Sequence, residues 1–188
     1  MYIVAINGSP DNNGNTVYLL NEIKKYCEGA EFEIINAGEA VSDAKIPFCV
    51  NCTSPCKKVC YAGTKLDDAF EKVNKADFVI FASPVFFGSM TAQLKAFFDK
   101  TRAVRADKKW LGKPMAAVSV GASKYGGQER TIDHIQSCAL VSGMKIVGNG
   151  SEIAMGHFGI SAHKPAENDE FALNQCKSLA KTIMSYKK

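Results

Sequence analysis

Short, almost entirely apolar runs alternate with helical patterns along the whole chain, and this alternation restricts the possible fold more than any other feature. An apolar run of four to eight residues bounded by turn residues is typical of a strand buried on both faces of a parallel sheet. The segments between such strands act as crossovers, and their right-handedness leaves few topologies. Five strands are predicted in this way, over residues 2–6, 31–35, 77–82, 114–120 and 144–147.

The segments between the predicted strands carry apolar residues at the three- and four-residue spacing of amphipathic helices. Strands that alternate with helices predict an α/β fold, a three-layer α/β/α sandwich around a five-stranded parallel sheet in the order 2-1-3-4-5. A length of 188 residues suits one domain over residues 1–188, with a cysteine-rich loop inserted at about 42–64. The helical stripes are centred on residues 16–23, 66–73, 94–98, 132–140 and 173–183.

The charge and the apolar runs exclude several classes of partner. The net charge is only +4, from 23 basic and 19 acidic residues, and the lysines are scattered, so no nucleic-acid partner is expected. No apolar run approaches the roughly 20 residues that span a membrane, and the first residues do not resemble a secretion signal. We therefore expect a cytoplasmic protein without a membrane partner. A reducing compartment favours metal binding or free thiols for its seven cysteines.

The loop after the first predicted strand, residues 8–16, is suited to binding an anion. Backbone N–H groups at the start of the following helix attract phosphate, and Ser9, Asn15 and Thr16 add uncharged donors. The loop lacks the Gly-Lys-Ser/Thr of a P-loop, and its glycines are too far apart for a dinucleotide fingerprint. A polar turn that merely begins a helix is the equally simple alternative.

Two further loops follow neighbouring predicted strands. Residues 83–89 place the aromatic pair Phe86 and Phe87 before Gly88 and Ser89, which suits a flat heterocycle, although the aromatic pair alternatively covers the edge of the core. The glycines of residues 121–128 allow the backbone to approach a ligand closely, or alternatively form a mobile surface turn. Ligands of open parallel sheets bind at this end of the strands.

Taken in order, these loops resemble the NAD(P)H-dependent FMN reductase superfamily, which has a flavodoxin-like fold, over residues 1–148. The motifs are Gly8-Ser9-Pro10, Gly14-Asn15-Thr16, Ser83-Pro84-Val85-Phe86, Leu94-Lys95-Phe98-Asp99 and Gly126-Gly127-Gln128-Glu129. The resemblance implies bound FMN, NAD(P)H as a donor, and a homodimer or homotetramer. It implies that Ser9, Pro10, Asn15 and Thr16 form the phosphate loop, that Pro84, Val85, Phe86, Phe87, Gly88 and Ser89 line the isoalloxazine, and that Ala122, Ser123, Gly126 and Gly127 lie on its other side.

Cys49, Cys52, Cys56 and Cys60 place four thiols within twelve residues. Structural zinc generally takes its ligands from two separated knuckles, whereas one continuous loop around a cluster is typical of bacterial ferredoxins. The tract, followed by Asp67-Asp68, resembles that of the iron–sulfur flavoproteins, although the spacing between the second, third and fourth cysteines departs from the usual one. We predict a 4Fe-4S cluster on these four cysteines, with zinc, a disulfide or free thiols as the alternatives.

The expected function is electron transfer between FMN and this cluster, with ferredoxin or NAD(P)H as the redox partner. One alternative is an NAD(P)H-dependent flavin, quinone or nitro reductase without a cluster. Another is a non-catalytic FMN- or metal-binding regulatory module. No catalytic acid or base is expected, because the flavin carries the chemistry. Cys27, Cys138 and Cys176 are predicted to be buried, inert thiols within helices.

Overall fold

The computed structural model describes residues 1–152 and 155–186, whose strands form one parallel sheet in the order β2-β1-β3-β4-β5, with β6 also paired to β4. This confirms the predicted strand order. The apolar runs explain it, because β1 and β3 are buried along almost their whole length, as strands covered on both faces must be. The strands are β1 (Tyr2–Asn7), β2 (Glu31–Asn36), β3 (Phe78–Pro84), β4 (Pro114–Gly121), β5 (Lys145–Ile146) and β6 (Ile160–His163).

The helices cover both faces of the sheet and confirm the three-layer architecture. One core contains the inward faces of α1 and α7, and the other contains apolar residues of α2 to α6. None of these helices has the combination of length and apolar character needed to cross a membrane, as far as the described residues go. The helices are α1 (Asn15–Lys25), α2 (Ala37–Ser42), α3 (Lys65–Lys75), α4 (Ala92–Asp99), α5 (Arg102–Ala106), α6 (Gln128–Val141) and α7 (Glu170–Ser185), with a 3-10 turn at Ala166–Asn168.

The fifth strand of the predicted sheet is split into two pieces. The short β5 pairs with the start of β4, and β6 pairs with the end of β4 along the same edge. No strand was predicted at β6, because its sequence Ile-Ser-Ala-His forms no continuous apolar run. In the structure these four residues alternate between buried and half-buried positions. Gly159 lets the chain return to the sheet here, since a Cβ at this position would lie 2.4 Å from the carbonyl oxygen of Ala117.

Local details of the helices also differ from the sequence pattern. The six-residue α2 lies where no periodicity was found, and the side chain of Asn36 caps it by accepting the Glu39 N–H. Cys27 lies just beyond the end of α1 and is buried there. Leu140, counted in the apolar stripe of α6, is 59% exposed. The periodicity therefore located the long helices but not their ends or every inward position.

The cysteine segment, defined here as residues 43–64, connects α2 to α3 mainly through turns. Its two ends are tied to each other by the Lys45 N–H, which donates to the Cys60 carbonyl at 2.9 Å. Tyr61 anchors the segment to α3, because its ring is buried and packs edge-on against Phe70 at 5.3 Å between centroids. The segment therefore lies on the face of the sheet that carries α3 and α4.

Candidate functional site

Three loops converge at the carboxyl edge of the sheet, beyond the adjacent strands β1, β3 and β4. The chain leaves β1 towards β2 on one side and returns to β3 on the other, so this edge is the topological switch point of the sheet. The first loop is residues 8–14, the second is residues 85–91, and the third is residues 122–127. All predicted flavin-binding residues lie on these loops or at their junctions with β3 and α1.

The first loop is held in shape by side chains that bond to its backbone, one from the end of β1 and two from the loop itself. The carboxamide oxygen of the buried Asn7 accepts the Ser9 N–H at 2.9 Å. The Ser9 hydroxyl accepts the Asp11 N–H at 3.1 Å, and the Asp11 carboxylate accepts the Asn13 N–H at 2.8 Å. Asn7 was not predicted as a site residue. Its position was a usable signal, because a polar carboxamide side chain directly follows the apolar run 2–6. Pro10 is exposed at the outer surface of the loop.

The N-terminus of α1 offers donors to an anion. No side chain caps this helix among the described residues, and its first turn contains no acidic residue. The first α1 amide bonded to a preceding carbonyl is that of Tyr18, which donates to Gly14 at 3.0 Å. The amides before it are therefore available to a phosphate, beside the buried Thr16.

Asn15 ties this helix start to a distant part of the chain. Its carboxamide oxygen accepts the N–H of Ala166 at 2.7 Å, across 151 positions of sequence. Asn15 can still donate to an anion through its side-chain NH₂ group and its backbone N–H. The resemblance gave this residue a direct binding role, and the geometry adds a structural one.

The second loop contains a tight turn over residues 86–89 that points outward. Phe86 and Ser89 exchange two backbone hydrogen bonds of 2.8 and 3.1 Å, while Phe87 and Gly88 both have positive φ. Two consecutive residues with positive φ form the type I′ turn of a two-residue β-hairpin. Phe87 is fully exposed and Phe86 is 47% exposed, so neither ring is withdrawn into the core.

Thr91 joins the first and second loops, and sequence reasoning missed it. This fully buried residue donates its hydroxyl to the Gly8 carbonyl at 2.6 Å and its N–H to the Ser83 hydroxyl at 3.0 Å. The same hydroxyl caps α4 by accepting the Leu94 N–H at 3.3 Å. A threonine just before a helical stripe is an ordinary N-cap signal, but its partner in another loop is visible only in three dimensions.

The third loop is closed by Gln128, whose buried side chain donates to the carbonyls of Ser123 and Ala162 at 2.6 and 3.1 Å. Gly127 has a φ of +90°, and a Cβ there would lie 3.5 Å from the Cα of Gly88 in the second loop. The two loops are thus in close contact. Ala122 and Ser123 are exposed at the outer part of the third loop, and Gly126 is half-buried.

A cavity of about 930 Å³ lies on the far side of the third loop, between the start of α6 and the start of α7. Of the predicted flavin-binding residues, only Gly127 lines it. Its lining has mixed charge and includes an exposed aromatic ring, from Lys124, Arg130, Glu129, Asp169, Glu170 and Phe171. We place the candidate site at the three loops, because uncapped amides and close backbone approach are found there.

The four cysteines of the tract carry free thiols, and Cys52 is exposed while the other three are half-buried. Within residues 1–152 and 155–186, no group of three or more His, Cys, Asp or Glu side chains is arranged to hold a metal ion. The next residue after the tract, Tyr61, is buried, and its hydroxyl has no partner in the described part of the chain. Burial and the neighbouring Cys56 thiol raise the pKa of this phenol.

Burial raises the pKa of all three cysteines outside the tract. Burial raises the pKa of Cys27 to about 11 and that of Cys176 to about 12. Burial also raises the pKa of Cys138, which is only half-buried in α6. With pKa values of about 11 and 12, Cys27 and Cys176 remain protonated at neutral pH and are poor nucleophiles and metal ligands.

Comparison with known proteins shows a family match. The family model described as NADPH-dependent FMN reductase matches residues 1–158. An iron-sulfur flavoprotein of Methanocaldococcus jannaschii is 34% identical, with 97% of this chain and 95% of that protein covered. An iron-sulfur flavoprotein of Methanosarcina thermophila is 33% identical over 97% of this chain and 93% of its own length. The flavodoxin-like, WrbA-like protein of Agrobacterium tumefaciens has the same fold, with a TM-score of 0.70, 17% identity, and coverage of 98% and 95%.

Proposed function

The chain belongs to the NADPH-dependent FMN reductase family, and from this premise we propose that it is an iron–sulfur flavoprotein. It passes electrons between FMN and a 4Fe-4S cluster bound by Cys49, Cys52, Cys56 and Cys60. Four free thiols within twelve residues carry this proposal, since relatives that align with nearly the whole chain are named iron-sulfur flavoproteins. Family membership already makes the protein an FMN-dependent oxidoreductase, which argues against the non-catalytic module.

The chemistry of the three loops suits FMN. The free amides of α1, with Ser9, Asn15 and Thr16, are assigned to the phosphate, and Pro10 shapes the same loop. Pro84, Val85, Phe86, Phe87, Gly88 and Ser89 are assigned to the isoalloxazine, with Ala122, Ser123, Gly126 and Gly127 on its other side. Gly127 brings these two sets together, because a Cβ there would lie 3.5 Å from both the Gly88 Cα and the Val85 Cγ1.

When bound, FMN accepts two electrons together and an iron–sulfur cluster exchanges them singly. The protein's part is to bind and orient the ring and to stabilise the negative charge that reduction adds to it. Backbone N–H groups of the second and third loops are suited to that role, because they are fixed in place by Thr91 and Gln128. We assign no catalytic acid or base, and NAD(P)H or a ferredoxin is the proposed electron donor.

The donor set of the cysteine segment fits a cluster chemically, because all four thiols are unpaired and lie on one continuous loop. The thiols are not gathered around one point in this structure, and this observation favours a second candidate. That candidate is an NAD(P)H-dependent flavin, quinone or nitro reductase that uses the same FMN site. In it the cysteine segment would hold zinc, a disulfide or free thiols.

Chemical analysis of anaerobically purified protein distinguishes the two candidates. We expect a brown protein with flavin and iron–sulfur absorption, about four iron and four sulfide per chain, and FMN as the flavin released for mass spectrometry. A yellow protein with stoichiometric zinc or no metal would establish the cluster-free reductase. Release of mainly FAD would reject the assignment of the first loop to a single terminal phosphate.

Replacing Thr16 with alanine is expected to weaken FMN binding by about 1–2 kcal/mol, the scale of a lost hydrogen bond to a charged group. Titration of the apoprotein, followed by quenching of flavin fluorescence, measures the dissociation constant. Ser137→Ala on the exposed face of α6 is the control and should leave the constant unchanged. An unchanged constant for Thr16→Ala would remove this hydroxyl from the phosphate site.

The protein is expected to be a homodimer or homotetramer. The fully exposed Phe87 and the adjacent Phe86 form an apolar surface beside the proposed flavin site, and a second subunit would bury it. Light scattering at micromolar concentration measures the molar mass. Phe87→Asp should shift the assembly towards the 20.4 kDa monomer, because it places a charge in the apolar contact. A monomeric wild-type protein would contradict this expectation.

A further inference from the structure

We propose that Lys100 is a positioning residue that raises the reduction potential of the cluster by placing a buried positive charge against the sulfur of Cys60. The inference rests on the proposed function, and it assigns a role to a residue outside both the flavin loops and the cysteine tract. Lys100 immediately follows α4 and is only 2% exposed. Its Nζ donates to the Cys60 Sγ at 3.2 Å and to the Ile46 carbonyl.

A buried ammonium group is costly unless a negative charge compensates it. In the described part of the chain, no carboxylate lies within ion-pair distance of Lys100. Its two acceptors are a neutral carbonyl and the Cys60 sulfur. The sulfur is therefore the contacting atom that can supply the compensating charge, and a cysteine bound to a cluster is a thiolate.

Packing alone does not explain a lysine at this position. A methionine of similar length would fill the same space without the cost of desolvating a charge. Lys95 in α4 shows the usual environment of a lysine at a helix surface. Its side chain is about half-exposed, and its Nζ pairs with the Asp99 carboxylate at 2.6 Å. The charge of Lys100, unlike that of Lys95, is directed into the cysteine segment.

Positive charge and N–H donors at a ligand sulfur stabilise the more negative, reduced state of a cluster more than the oxidised state. A second source of positive charge lies close by, since Arg102 and Arg105 line a groove of about 390 Å³ that also contains Cys56. Both arginines are more exposed than Lys100, so solvent screens them more. Of these three cations, Lys100 is the least exposed and is expected to influence the cluster most.

The position of Lys100 also connects the two proposed redox sites. Helix α4 begins after Thr91, which fixes the first and second loops, and it ends just before Lys100. Eight helical residues rise about 12 Å, so one short, rigid element separates the flavin loops from the cysteine segment. The cation at its end contributes to the electrostatic environment of the cluster rather than to the binding of FMN.

Anaerobic spectroelectrochemical titration of the cluster in Lys100→Met tests the proposal. At a fixed ambient potential, the ratio of reduced to oxidised cluster should fall about tenfold, which corresponds to about 59 mV for one electron. Lys95→Met is the matched control, because it removes a charge from the same helix without touching Cys60, and should leave the ratio unchanged. FMN content should remain at the wild-type level in both variants.

The pair Lys100→Arg and Lys100→Gln decides the question if the methionine variant does not fold. Both side chains donate N–H bonds, but only arginine keeps the charge, so only the glutamine variant should show the lower potential. Equal potentials in these two variants, or a wild-type potential in Lys100→Met, would overturn the inference. A wild-type protein without iron would instead overturn the proposed function itself.

Discussion

Replacing Cys56 with serine is expected to abolish the iron–sulfur absorption of the anaerobically purified protein while FMN remains bound. Serine offers a poor ligand to iron in place of a thiolate, whereas the flavin loops come from the ends of β1, β3 and β4. Electron transfer to one-electron acceptors should fall far more than reduction of the flavin by a chemical reductant. Iron analysis and the visible spectrum measure the loss, and exposure of the wild type to oxygen should imitate it.

Cys138→Ser in α6 is the control for this variant, since it removes a half-buried thiol outside the cysteine segment. Both variants should fold, because the two apolar cores are formed almost entirely by strands and helices and need no metal to hold them. A Cys56→Ser protein that retains its full iron content would show that Cys56 is not a ligand. Loss of FMN together with the iron would contradict the separation of the two sites.

The second large effect concerns stability, where Phe70→Ala is expected to lower the free energy of unfolding by about 3–5 kcal/mol. The Phe70 ring is buried and makes edge contacts with Tyr61, Phe97 and Trp110, at 5.3, 5.0 and 6.0 Å between centroids. Truncation leaves a cavity that these stiff rings cannot fill. Denaturant unfolding followed by circular dichroism measures the change.

Leu140→Ala is the control for Phe70→Ala, because Leu140 is 59% exposed on α6 and should cost about 0.5 kcal/mol or less. Phe70 also supports the ring of Tyr61, the residue next to Cys60. The alanine variant should therefore lose cluster more readily than FMN on mild heating. A loss of stability below about 1 kcal/mol would show that the aromatic cluster repacks around the gap.

The sequence predicted the parts of the fold that depend on continuous apolar patterns. Strand β3 and its neighbours were found because a central parallel strand must be apolar on both faces. Strand β6 was missed because its alternating residues, at an outer position of the sheet, give no such run. The short helix α2 was missed for a related reason, since six residues are too few to show a period.

The candidate site was predictable only as a set of loops. Their glycines, prolines and polar residues mark the ends of strands, but the bonds that join one loop to another have no pattern in the sequence. Thr91 donates to Gly8 across 83 positions, and nothing local to either residue indicates that contact. Lys100 follows an aspartate at the end of an amphipathic helix, where a solvent-exposed cation is the ordinary expectation. Only the packing of the cysteine segment over α4 places it in the interior.

The bond between Asn15 and Ala166 has a consequence for how the protein is synthesised. The first loop is made early in translation, but the backbone amide that holds Asn15 is added 151 positions later. Strand β6, which leads into that segment, also completes the sheet late. The first loop and the start of α1 therefore lack this tie until Ala166 has been synthesised. We therefore expect FMN to bind stably only after the chain has been synthesised beyond Ala166.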